Sequence, residues 1–284
     1  MPPRKAPTAR QQRLGTELRR MREQAGLSLV QASALLGTDR TNISNAESGR
    51  HGVSGERVRA WASHYGCPDA AYVDALVAMT EERGKGWWEE YRGTLSSGAL
   101  DLAELEHHAL AFRAVQIMHM PGLLQTEEYA RAVFSQAVPP LGPEILRRRL
   151  SHRMRRRDVL DRHPAAPDCT FLIHEAALRM LFGGRRVAQG QLEHLLKESE
   201  RENITVKVIP FSVGGFPHAG SSTLYVSGPV PQLDTVQLDT PAGSAFIDAE
   251  SRLANYRSVL ERTEEQSLSP RRSRDFIRDV VRQL

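Results

Sequence analysis

The stretch Gly26–Arg50, GLSLVQASALLGTDRTNISNAESGR, decides how the first third of the chain is read. Ser28 can cap a helix running through Leu36, with Ala32, Leu35 and Leu36 inward. Gly37 closes that helix, Asp39 caps another from Arg40 to Glu47, and Gly49 ends it. Two short helices joined by a turn of about three residues have helix-turn-helix spacing. A helix that enters the major groove must be short, braced by a partner helix, and polar on its outer face. Arg40, Thr41, Asn42, Ser44 and Asn45 supply that face, while Ile43 and Ala46 turn back to the core. Arg can pair with guanine and Asn with adenine, each good bidentate contact giving roughly 1–3 kcal/mol of discrimination.

Upstream, Leu14, Leu18, Met21 and Ala25 mark one face of a first helix, ended by Gly26. Residues 1–12 have no periodicity and read as a disordered basic arm. Downstream, helices are expected at about 55–65 (Val58, Trp61, Ala62, Tyr65) and 70–79 (Tyr72, Val73, Leu76, Val77). An all-α, five-helix DNA-binding domain is therefore expected over 13–83. Residues 84–100, with four glycines and Trp87, Trp88 and Tyr91, read as a linker whose aromatics dock. Strand patterns appear only beyond residue 100: 112–118, 170–174, 205–209, 223–226, 236–239 and 245–248. Helical patterns lie between them (126–137, 143–160, 188–200) and after them (249–266, 270–283), so 101–284 reads as a larger α+β domain.

Composition narrows the function classes. The chain has 284 residues and a net charge of +4, with 12 basic and 9 acidic residues in the first 83. Most of the positive excess thus lies where the helix-turn-helix needs it. Four lysines against 34 arginines, spread along the chain, point to a GC-rich genome rather than to phosphate binding. Two cysteines, Cys67 and Cys169, exclude a disulfide scaffold and a multi-cysteine zinc motif and fit a reducing cytoplasm. No apolar run reaches the roughly 20 residues of a membrane span, and Met1–Lys5 does not open a secretory signal.

Gly26–Arg50 also resembles the helix-turn-helix of Xre-type, phage-repressor-like regulators. It follows the pattern G-L-[ST]-x₃-A-[AS]-x-x-L-G, a cap, then [IV]-S-x-x-E-x-G-[RK]. The resemblance places Arg40, Thr41 and Asn45 at base-reading positions and Asn42 and Arg50 near phosphates. It also pairs Arg22 of the first helix with Glu47 of the third. Leu29 stands where phage repressors often carry Gln, which shifts phosphate anchoring toward Ser28 and toward Arg4, Lys5 and Arg10 of the arm. Such modules work as homodimers on inverted repeats of double-stranded DNA.

The larger domain resembles the C-terminal domain of a group of actinobacterial Xre-type regulators. The marks are Gly86-Trp87-Trp88-Glu89-Glu90-Tyr91, Pro121-Gly122-Leu123-Leu124-Gln125-Thr126 with Tyr129-Ala130-Arg131-Ala132, His174–Arg179, Ile204–Phe211 and Leu268-Ser269-Pro270. The resemblance implies an antitoxin-like regulator whose C-terminal domain binds a small protein encoded nearby. A small-molecule sensor with a pocket in the α+β fold is the alternative. His107-His108 and Met118-His119-Met120 depart from the family pattern.

Within His119–Phe134, local physics gives a Pro-Gly turn, a Thr126 cap and a buried helical face. The helix at 143–160 packs seven arginines against Glu144 and Asp158. It reads as an amphipathic helix with a solvated basic face, or as one whose Arg155, Arg156 and Arg157 touch DNA or an acidic partner. None of the ten histidines has a metal-ligand spacing, and no nucleophile elbow, Walker loop or dinucleotide turn occurs. No catalytic residue, metal or cofactor is expected.

Overall fold

The computed structural model describes residues 7–81, 86–240 and 243–284. The chain divides into two compact units, Met1–Glu89 and Glu90–Leu284. The first is a helical helix-turn-helix region, and the second joins a mixed six-stranded sheet to helices.

In the first unit the helices are α1 (Ala9–Gln24), α2 (Leu29–Leu36), α3 (Arg40–Glu47), α4 (Gly55–His64) and α5 (Ala70–Glu81). α1 starts earlier than the periodicity indicates. Thr8 caps it, its side chain accepting from the Gln11 amide while the Gln11 side chain bonds back to the Thr8 amide. This reciprocal capping box satisfies two orphan amides, so residues 9–12 are helix rather than arm. Ser28 and Gln31 repeat the device at α2, and Gly37, in the left-handed region at φ 59°, closes that helix. Asp39 occupies the α3 N-cap position, but its side chain makes no capping hydrogen bond. Leu18, Ala32, Ile43, Val58, Trp61 and Leu76 fill the core. Ala25, expected on the buried face, is exposed at the end of α1.

The backbones of α1 and α3 touch. A Cβ on Gly15 would stand 2.6 Å from the carbonyl oxygens of Ala46 and Glu47. Gly49, at φ 69°, leaves no more room, since a Cβ there would lie 2.7 Å from the Gln11 carbonyl. Glu17 ties α1 to α5 from within: buried, it accepts from Arg13, Arg20 and the Tyr72 hydroxyl at 2.6, 2.5 and 2.7 Å.

In the second unit α6 (Ser97–His107) precedes β1 (Ala111–Gln116). α7 (Glu127–Phe134) and α8 (Pro143–Arg156) cross to β2 (Asp168–His174), and α9 (Glu175–Arg179) and α10 (Arg185–Glu198) cross to β3 (Ile204–Ile209). Then come β4 (Thr223–Ser227), β5 (Thr235–Thr240), β6 (Gly243–Ile247), α11 (Glu250–Glu265) and α12 (Pro270–Gln283). The sheet order is β3-β2-β1-β4-β5-β6, with the first three strands parallel and the rest antiparallel. Helical crossovers make the parallel half and hairpins the antiparallel half. Alternate residues of β2 feed different cores, as a two-residue period requires. Phe171 and Ile173 join Leu124, Tyr129, Leu178 and Leu195 on one face, whereas Leu172 joins Val236, Leu253 and Leu260 on the other.

The strand patterns at 112–118 through 245–248 each coincide with an observed strand to within a few residues. The expected linker is shorter than its composition implies. Residues 87–91 form a 3-10 turn in which Trp88 and Tyr91 are buried, and α6 starts at Ser97.

Candidate nucleic-acid interface and C-terminal cavity

On α3, Arg40, Thr41, Asn42 and Ser44 are exposed, Asn45 is half-buried, and Ile43, Ala46 and Glu47 are buried. The helix therefore shows a polar outer face and an apolar inner one, as its sequence spacing requires. Arg50 and Ser28 are exposed too. The Ser28 hydroxyl, besides capping α2, donates to Gln31 Oε1 at 2.8 Å. Arg4 and Lys5 lie outside the described residues, and Arg10 belongs to α1 rather than to an arm.

Arg22 fixes α1 to α3 through a buried bidentate pair. Its Nε donates to Glu47 Oε1 at 2.6 Å and its second terminal nitrogen to Oε2 at 2.8 Å. Its remaining terminal nitrogen reaches the Leu27 carbonyl at 2.8 Å. The hydrogen bonds and charge of Glu47 outweigh burial and raise the Arg22 pKa, so the guanidinium stays charged. The Tyr65 hydroxyl is buried beside this pair, and burial and the Glu47 charge push its pKa up to about 12.

The α8 arginines do not share one solvated face. Arg156 is buried, and its Nε and one terminal nitrogen donate to Glu106 of α6 at 2.7 and 2.5 Å. That placement removes Arg156 from any contact with DNA or a partner. Arg155 is exposed and paired with Glu90, and Arg157 is half-buried, 3.1 Å from His194 Nε2. Steps of 4 and 3 put Arg149, Arg153 and Arg156 on one helix face, and that face lines a cavity of about 390 Å3.

The sheet provides the cavity floor. Phe171, Ala114, Leu224 and Gln237 are successive partners across β2, β1, β4 and β5, and all four line it. One wall is α6, with Ala99, Leu102 and Glu106. Another is the Pro121-Gly122-Leu123 turn with the end of α7, Val133 and Phe134.

The Pro-Gly motif also shapes this wall. Buried Gln125 donates to the Met120 carbonyl at 2.8 Å and accepts from Arg153 at 2.7 Å. A Cβ on Gly122 would come within 3.3 Å of the Arg153 guanidinium and 3.5 Å of that of Arg156. Buried Gln191 of α10 accepts from the Thr126 amide and donates to the Leu124 carbonyl, holding the turn from behind. The sequence reading took turn, cap and core from this motif and missed the arginine clamp. Polar Gln125 inside an apolar run, with arginines spaced along α8, was the available signal. His119, one of the departures from the family pattern, lines the same cavity. His107 and His108 stack edge to face 4.9 Å apart.

A family profile described as a domain of unknown function, DUF5753, matches residues 99–279, well over half of the chain. The chain belongs to the DUF5753 family. A second profile, described as a helix-turn-helix domain, matches residues 13–76. The DUF5753 match covers the sheet and the whole cavity wall except Leu95 and Ser96, whereas the other contains α2 and α3 in full. No curated protein and no solved structure matches the chain. The helix-turn-helix match identifies this DUF5753 protein as a DNA-binding regulator by its domain content. Among the described residues no cluster could hold a metal ion, and no helix is long and apolar enough to cross a membrane.

Proposed function

We propose that this chain is a cytoplasmic, homodimeric, sequence-specific transcriptional regulator in which α3 reads the major groove of an inverted-repeat operator. The exposed polar face of α3, held against α1 by Arg22–Glu47, carries this reading. A two-fold dimer sets two such helices about 34 Å apart, one helical turn of DNA. Arg40, Thr41 and Asn45 read bases, Asn42, Ser44, Arg50 and Ser28 flank them at the backbone, and Arg4 and Lys5 add charge without sequence preference.

The C-terminal domain is the effector half. The family resemblance favours a small partner protein there, with Arg155 and Arg157, which pair with Glu90 and His194, as its contacts. The cavity favours a small molecule, since sites for such ligands are concave and combine apolar surface with a few converging polar groups. We adopt the small-molecule reading because the cavity is built from residues far apart in sequence.

Selection from random DNA by the purified full-length protein tests the main reading. A two-fold symmetric consensus is expected. In Arg40→Ala one position per half-site should lose its preference, with affinity falling by about 1–3 kcal/mol. Binding without preference over bulk DNA at physiological salt would sink the proposal.

A further inference from the structure

The cavity has an uneven charge. Arg156 is matched by Glu106, but among the described residues no carboxylate pairs with Arg149 or Arg153. Both are half-buried, and both guanidinia lie over the Phe134 ring, 5.9 and 4.8 Å from its centroid. They therefore converge on one spot beside the Pro-Gly turn. Gln125 occupies one terminal nitrogen of Arg153, and the rest of that fork is left for an acceptor. Burial and then the neighbouring Arg156 pull Arg153 down to about 9, against the opposing charges of Glu106 and Asp239. Gln116 Oε1 on the floor is buried with no hydrogen-bond partner.

Ala99, Leu102, Leu123, Val133, Phe171 and Leu224 form an apolar part of the lining, beside polar His119, His152, Gln237, Thr240 and Ser244. Asp239, exposed at the mouth, accepts from the Gln237 amide at 2.8 Å and adds a negative charge there. Three arginines against Glu106 and Asp239 leave one positive charge. A planar guanidinium fork matches a carboxylate in a bidentate way. The two carboxylates disfavour a second negative charge on an occupant.

We propose that the cavity binds a small organic acid with one carboxylate, held by Arg153 and Arg149 over Phe134, and an apolar body lying on the Phe171–Ala114–Leu224 floor. The proposal rests on reading the C-terminal domain as a small-molecule sensor and adds the ligand's chemical class. Its volume suits a compact ligand, since small-molecule sites span roughly 300–1,000 Å3.

Calorimetric titration of the full-length protein with 4-phenylbutanoate, 4-phenylbutan-1-ol, 4-phenylbutylamine and phenylphosphonate tests it. Saturable binding of the carboxylate at one per chain is expected, at least about ten-fold tighter than the alcohol, with the amine silent and the phosphonate weaker. Arg153→Gln should abolish the preference for carboxylate over alcohol, and Arg149→Gln should reduce it several-fold. Arg155→Gln, outside the cavity, should leave it intact. Arg149 makes no ion pair among the described residues, so its variant keeps the test open if Arg153→Gln fails to fold. No binding of the carboxylate, equal binding of alcohol and carboxylate, tighter binding of the phosphonate, or a preference untouched in both glutamine variants would overturn the proposal. The affinity for selected DNA is measured separately. Carboxylate binding that leaves that affinity unchanged refutes the sensor reading and leaves the site standing. Loss of DNA preference refutes the regulator reading alone.

Discussion

Among the described residues each unit contains one buried, bidentate Arg–Glu pair, and the two pairs sit in different surroundings. Arg22–Glu47 joins two helices whose backbones are in contact, and its third guanidinium nitrogen goes to the Leu27 carbonyl. Arg156–Glu106 joins α8 to α6 at the edge of a cavity, next to two arginines with no carboxylate. Buried ion pairs are weak evidence of stability, because desolvation offsets much of their attraction. Their contribution here is positional. The first sets the angle at which α3 is presented, and the second sets a wall against which further charge can accumulate. A pair enclosed by packing reads as scaffold, whereas a pair bordering an uneven cavity marks a place where an occupant completes the charge.

The largest expected effect comes from breaking the second pair. Glu106→Ala leaves Arg156 buried beside Arg153 and Arg149 with only Asp239, exposed at the mouth, to oppose them. The cost should be about 3–5 kcal/mol, the usual penalty for an uncompensated buried charge. The two units can be followed separately. Trp61, Trp87 and Trp88 are the chain's three tryptophans and all lie in the first unit, so the loss should appear in the far-UV circular dichroism transition and spare the tryptophan-detected one. An unchanged circular dichroism midpoint would contradict this assignment.

Breaking the first pair should cost less. In Glu47→Ala, Arg22 keeps its hydrogen bond to Leu27. The expected loss is about 2–3 kcal/mol, near the lower end for a broken buried pair, and it should appear in tryptophan fluorescence. DNA affinity should fall with it, because α3 loses its brace. A variant with wild-type thermal stability but weakened DNA binding would show that Glu47 serves the interface directly. The contrast between the two variants would then collapse.

These two pairs were unequally legible in the sequence. Arg22–Glu47 could be named only because the resemblance to Xre-type helix-turn-helix regulators implies it; its partners are 25 residues apart. Arg156–Glu106 could not, because its partners are 50 residues apart and meet only where α6 packs against α8. The same reason divides the fold. β1 to β6 were visible as apolar alternation, a property of each segment by itself. Their order, with β1 between β2 and β4, depends on crossovers that leave no local trace. The start of α6, residues 97–100, falls in the expected linker among glycines and serines, and residues 101–107 carry no expected element. The cavity floor is a row of single residues from four strands, Phe171, Ala114, Leu224 and Gln237, and only strand register aligns them. The α8 arginines were counted correctly, but sequence offered no means of choosing the helix face that turns inward.

The smallest effect separates the two environments by pH. His152, on the cavity wall, lies under the edge of the Tyr91 ring, with centroids 5.0 Å apart. Burial, then the charges of Arg156 and Arg153, lower its pKa to about 3. An unfolded histidine titrates near 6.5. Between those values the unfolded chain takes up a proton that the folded chain refuses, so stability falls as the pH drops from about 6.5 toward 3 and is unaffected by this group above that window. At pH 5 the loss from His152 alone should be about 2 kcal/mol, 1.5 pH units at 1.36 kcal/mol each. His174 and His194, also lowered chiefly by burial, act in the same direction. His152→Gln should flatten the decline in the circular dichroism midpoint between pH 7.5 and pH 5. A variant with the wild-type slope would mean that His152 takes up its proton alike in the folded and unfolded chain, and the burial of this wall would not govern the acid decline.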